Sequence, residues 1–219
     1  MPRGARREFI SNEKRGVMSR VSYLIKQSLF NFAYLILTMM TAMAIGLIEI
    51  TWLKIILFVL NGALYCTIVF FSSRAQGEKE KKQEYANDVE RRHVAETGDY
   101  VNINEREEYK PLNGFFTGLI TCVPLLILYV FFLIFTLTGA AQNTVVVITN
   151  LIYGTFTLPL EIVDTADQTV RALNYFCSLY AVAVICAVTS FGYWMGAQRV
   201  VKQHERVEHI HKQIYGDKQ

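Results

Sequence analysis

The chain has no Asp, Glu, Lys, Arg or His in the interior of any of its four long apolar stretches, 29–50, 55–72, 115–138 and 172–197; Glu49, Lys54 and Arg171 stand only at outer ends. Charged groups within a span mark ion paths and proton relays. Their absence counts against a pump or a proton-coupled transporter and leaves open a pore lined by hydroxyl or backbone groups. Basic residues are also missing from one side of these stretches. Seven Lys or Arg precede the first, eight lie between the second and third, five follow the fourth, and only Lys54 and Arg171 fall opposite. Loops rich in Lys and Arg stay in the cytoplasm, so both ends of the chain are expected there.

Cysteine is equally scarce. Cys66, Cys122, Cys177 and Cys186 all fall inside apolar stretches, with neither a disulfide framework nor metal-ligand spacing. They read as small hydrophobes, and Cys177 and Cys186, nine residues apart, stand half a turn out of phase on a helix. There is no P-loop, no HExxH and no GxSxG, so no catalytic residue and no cofactor is expected. A secretory leader's short apolar region and small-residue cleavage site are also lacking. The first stretch is therefore expected to remain as an anchor. The polar first 17 residues read as a disordered tail, with Met18 an alternative start to Met1.

What the chain does have is apolar length. A bilayer core about 30 Å thick needs about 20 consecutive apolar residues per helical span, and each stretch is of that order. The third carries 16 Leu, Ile, Val or Phe residues and no charge. On the insertion scale these favour the membrane by about 5–10 kcal/mol as an upper bound. The expected fold is an all-α membrane protein, a four-span transmembrane helix bundle with cytoplasmic helical extensions. It divides into a basic N-terminal segment (1–28), a hairpin of spans one and two (29–72), a partly helical cytoplasmic loop (73–114), spans three and four (115–197) and a cytoplasmic C-terminal helix (198–219). The composition suits a bacterial plasma membrane.

The connections differ in character. Spans one and two are joined by a tight tip with Trp52 at the interface, where indole is favoured. The outer loop 139–171 is too apolar for an ordinary exterior loop. Its segment 143–160 is open to three placements: lying on the surface, re-entrant, or a fifth span. Asp164, Asp167 and Arg171 share a helical face and suit the start of the fourth helix. In the cytoplasmic loop, 78–95 lacks Pro and Gly and reads as a helical continuation of span two, with Asp88 and Arg92 paired at i, i+4 and a stop at Gly98. The tail 197–215 reads as helix, with Val200, Val207, Ile210 and Ile214 on one seam. That seam is expected to meet Tyr85 and Val89, or the same tail in a second copy.

Few residues carry candidate chemistry. Asn61 is the intramembrane polar candidate. An amide in hydrocarbon seeks an interhelical partner worth roughly 0.6–2 kcal/mol, and contact with a solute is the sharper alternative. Small residues at four-residue spacing let helix backbones approach: Thr38, Ala42 and Gly46 in span one, Gly114 and Gly118 in span three, Gly192 and Gly196 in span four. His204, Glu208 and His211 share a face of the tail and are the weak metal candidates; a solvated face is the plainer reading. The basic N-terminus, Arg20 included, is expected to meet anionic lipid head groups rather than nucleic acid. Together these features predict a non-enzymatic accessory, scaffold or assembly subunit that acts by helix–helix association, with a membrane-protein partner or a homo-oligomer. A small-solute or ion channel is the alternative, and an enzyme acting on lipid the second alternative.

Overall fold

In the computed structural model the described residues are 3–98, 103, 105–138 and 168–216, with side chains for most of them. The apolar segment 143–160, Asp164 and Asp167 lie outside the described residues. Every regular element described is helical: α1 (Arg3–Gly46), α2 (Thr51–Thr97), a 3-10 turn (Glu105–Glu107), α3 (Asn113–Thr138) and α4 (Gln168–Tyr215). Three helices, α1, α2 and α4, are long and apolar enough to cross a membrane, and α3 is an apolar helix of shorter described length, Asn113–Ile127.

The length of these helices follows from the sequence. No proline lies between positions 3 and 110, so nothing interrupts the backbone ladder of α1 or α2. At 1.5 Å per residue, the 47 residues of α2 extend about 70 Å, more than twice the thickness of a bilayer core. Gly98 ends it in the left-handed region, φ 74°, donating its N–H to the Val94 carbonyl. Gly216 ends α4 in the same way, with φ 65° and a bond to Lys212. The expected disordered tail is corrected, since α1 begins at Arg3. Helix formation is costly to nucleate and cheap to extend. Once the apolar part of α1 is helical, the Arg, Glu and Lys residues before it can join at little cost.

Packing is set by places where a side chain is missing. Gly192 lies against the Phe70 carbonyl, and Gly196 against the backbone of Arg74 and Glu78. The two numberings advance together, so α2 and α4 run parallel. Gly77 meets the Tyr193 backbone from the other side of the same seam. A Cβ at Gly192 would stand 2.6 Å from the Phe70 oxygen, and at Gly77 and Gly196 the approach is closer still. In the second seam α3 runs antiparallel to α4, with Gly114 against Tyr193 and Ser190 and Gly118 against Cys186 and Thr189. Leu35, Tyr65, Val69, Cys122, Leu125, Ala181 and Ile185 bring all four helices into one core. Outward, Leu37, Met40, Leu60, Leu64, Ile127, Val130 and Phe191 stay exposed.

Gly46 departs from this pattern. Open space lies where its Cβ would stand, so the α1 ladder of Thr38 and Ala42 stops short of it. Gly196→Leu is expected to destabilise by at least the 1–3 kcal/mol typical of overpacking, because the obstacle is backbone. Gly46→Ala should be neutral or slightly stabilising. Thermal unfolding in mild detergent measures both; equal midpoints for the two variants would contradict the seam.

Candidate functional site: a buried carboxylate network

The inward face of α2 runs Phe58, Asn61, Tyr65, Val69, Ser73, Gln76, Gly77, Glu80 and Asn87. Apart from the adjacent pair Gln76 and Gly77, these steps of three, four or seven residues hold one helical face, and they carry it from the apolar half into the charged half. The close approach at Gly77 leaves Glu80, one turn on, with no exposed surface. Three side chains donate to its carboxylate. Tyr193 Oη and Asn113 Nδ2 reach Oε2 at 2.5 and 2.7 Å, and Gln76 Nε2 reaches Oε1 at 2.7 Å. Arg20 on α1 donates to Asn113 Oδ1 at 3.2 Å and supplies the nearby positive charge. Four helices therefore meet at one carboxyl group.

The segment before α3 covers this cluster. The Lys110 N–H donates to Tyr193 Oη at 3.2 Å, and the Tyr109 ring stacks on Tyr193 with centroids 5.0 Å apart. Further along α2, Asn87 donates to Glu108 at 2.8 Å and accepts from Gln83 at 2.9 Å. Arg91 reaches the same Glu108 oxygen at 2.5 Å, and Lys79 pairs with Glu107 at 2.6 Å. Glu107 and Glu108 thus fasten the connecting segment to α2.

Glu80 lies two turns beyond the apolar stretch that ends at Ser72. Burial pushes its carboxyl above the ordinary range, and the bonds from Tyr193, Gln76 and Asn113 and the charge of Arg20 oppose that shift without cancelling it. Tyr23 on α1 faces the same group; burial and the Glu80 and Glu107 carboxylates push its phenol up. The arrangement suits a carboxyl group that holds and exchanges a proton.

On the apolar side of Glu80, several buried polar atoms have no protein partner: Asn31 Nδ2 and Oδ1, Ser73 Oγ, Gln76 Oε1 and Thr117 Oγ1. An unmet buried donor or acceptor costs about 1–3 kcal/mol. Beside them, Ser28 Oγ lies 2.8 Å from the Leu24 carbonyl and 3.1 Å from that of Thr117.

The residues singled out from sequence are placed as follows. Asn61 is buried and donates to the Thr38 carbonyl across the α1–α2 hairpin at 2.9 Å. Thr38 and Ala42 are buried on the same face of α1. Gly114, Gly118, Gly192 and Gly196 all occupy seams. His204 is drawn elsewhere, its ring stacked on Tyr85 at 4.4 Å and its Nε2 3.3 Å from Glu208. Among the described residues no three His, Cys, Asp or Glu side chains gather to hold a metal, His204, Glu208 and His211 included. Asp88 pairs with Arg91 at 3.1 Å; the expected pairing was with Arg92. Arg20 turns to Asn113, although sequence grouped it with the lipid-facing basic residues.

Glu80 was missed because Glu78, Lys79, Lys81 and Lys82 surround it and give it the look of a solvated helix. The available signal was the inward period of α2, which reaches Glu80 when extended from Asn61. Glu80→Ala is expected to cost about 3–5 kcal/mol, as when one partner of a buried charged network is removed. The raised carboxyl fixes the sign of the pH dependence. Its contribution to stability is full below the ordinary carboxylate range and is lost as pH rises through the elevated value. Glu80→Gln should flatten that dependence in thermal unfolding measured across pH; an unchanged profile would remove Glu80 as its source.

The chain matches no family model, no curated protein and no solved structure, so its function is argued from these residues.

Proposed function

We propose that this is a four-span integral membrane protein with both ends in the cytoplasm. In this reading it works by association, as an accessory or assembly subunit, rather than by catalysis. The aromatic residues support the membrane placement. The contacts of Gly192 with Phe70, of Gly196 with Arg74 and of Tyr193 with Gly77 bring Trp194 level with the stretch 72–78 of α2. Trp52 lies 20–26 residues before it, or about 30–39 Å along the helix at 1.5 Å per residue. Both indoles are more than half exposed. Two exposed indoles separated by the hydrocarbon core and part of its interfacial layers fit the aromatic belts at the two membrane interfaces. With α3 as the remaining span, the charged ends of α2 and α4 project from the same face.

The observation that carries the association reading is an exposed apolar run on the projecting end of α4. Val207, Ile210 and Ile214 are 63%, 53% and 66% exposed, and Val89 on neighbouring α2 is 68% exposed. The α2–α4 seam packs as far as Tyr85 and His204 and leaves these next apolar positions uncovered. In water such a run favours a partner at about 25 cal/mol per Å² of apolar area covered. The alternative, a channel, loses support because the amide of Asn61 is engaged with the Thr38 carbonyl.

Gentle detergent extraction at native expression, followed by native electrophoresis, tests this reading. The protein is expected in a larger assembly, and Val207→Asp combined with Ile210→Asp should release it while leaving its unfolding midpoint unchanged. A bare monomer before substitution would sink the proposal.

A further inference from the structure

We propose that the interior of the bundle binds a group of water molecules between Asn31 and Glu80, in a site closed on its far side by the packed apolar core. Contacts between helices fix the order of its members. Gly77, Gly114 and Tyr193 share one level, because the first two both meet the third. Gln76 and Glu80 flank Gly77 on α2, and Asn113 precedes Gly114. One turn deeper lie Ser73 on α2 and Thr117 on α3. Ser28 on α1 touches the Thr117 carbonyl at this second level. Asn31 follows Ser28 by three residues and is one turn deeper again. From Asn113 to the level of Asn31 is about 10 Å at 1.5 Å per residue.

Five buried polar atoms without protein partners fall within this interval and come from three helices. Asn31 is 1% exposed, and neither its nitrogen nor its oxygen has a protein partner; Ser73 Oγ, Gln76 Oε1 and Thr117 Oγ1 are in the same condition. Buried groups of this kind are met by ordered water, which makes two to four bonds at such sites.

The chemistry of the set selects the ligand. A metal cation would use the oxygens and leave the Asn31 NH₂ directed at positive charge. An anion would use that donor and the two hydroxyls but meet the Gln76 and Asn31 carbonyl oxygens. Water can both donate and accept, and it serves every member. Beyond Asn31 the interior turns apolar, with Leu35, Tyr65, Val69, Leu125 and Ile185 in contact, so the site has a floor. At its mouth stands Glu80, faced by Arg20 and Tyr23 from α1, Gln76 from α2, Asn113 from α3 and Tyr193 from α4, whose hydroxyl also accepts from the Lys110 N–H of the connecting segment. Water held there can exchange a proton with the carboxyl group without opening a path through the core.

Water-edited solid-state NMR on the full chain in phospholipid liposomes tests this. Polarisation from water is expected to reach the Asn31 side-chain amide and the Thr117 side chain several-fold faster than the methyl groups of Leu35 and Ile185, which belong to the core that closes the site. Asn31→Leu should slow the transfer to Thr117 while the transfer to Gln76 persists. Equal build-up at Asn31, Thr117 and Leu35 in the unsubstituted protein overturns the proposal, whether or not the variant folds. Resonance shifts at Asn31 on exchanging sodium for potassium, or chloride for sulfate, would also overturn it, in favour of an ion.

Discussion

The backbones of α2 and α4 touch. Gly77, Gly192 and Gly196 leave out the side chains that would hold the two helices apart, and carbonyl oxygens of each helix fill the space. Within lipid there is no hydrophobic force to pair helices, so close dispersion contact and interhelical bonding must do so. The same contact determines what lies next to it. Glu80 follows Gly77 by less than one turn, and Tyr193 follows Gly192 directly. Bringing the glycines together therefore drives a carboxylate and a phenol into the interior at the same level. The carboxyl group is buried as a consequence of the seam.

Once buried, a carboxylate has to be met. Donors arrive from Tyr193, Asn113 and Gln76, and Arg20 supplies opposite charge through Asn113. Each comes from a different helix or turn, so satisfying Glu80 also fixes the entry of α3, the tilt of α1 and the segment 105–110. Hydrophobic packing alone tolerates sliding of one helix along another; a set of bonds between 2.5 and 2.7 Å does not. The long projecting ends of α2 and α4 inherit that rigidity, which is what lets an apolar run at Val207, Ile210 and Ile214 remain a fixed surface.

Much of this architecture was legible in the sequence. The uncharged runs, the cap at Gly98 and the continuation of span two into 78–95 are local properties of the chain, and the helices follow them. The glycines of α3 and α4 could be picked out by spacing, yet spacing did not distinguish Gly46, which faces open space, from Gly196, which faces backbone. That difference depends on which helix lies opposite. Glu80 was illegible for the opposite reason. Its neighbours in sequence are charged, while its neighbours in space are the inward faces of three other helices. Asn61 stood out in the sequence as an amide in need of a partner, and only the hairpin geometry identifies the Thr38 carbonyl. The side-chain positions of the basic N-terminal residues before Arg20 and the structure of the outer loop lie outside the described residues.

The central claim is that α2 and α4 form one rigid parallel pair from the apolar half into the polar half. The most direct measurement is the distance between nitroxide labels on Lys82→Cys and Lys202→Cys, both exposed positions beyond the apolar stretches, by pulsed electron resonance in liposomes. A rigid pair predicts a single narrow distribution that persists in detergent. A broad or two-peaked distribution would mean that the projecting helices move independently, and it would contradict the account.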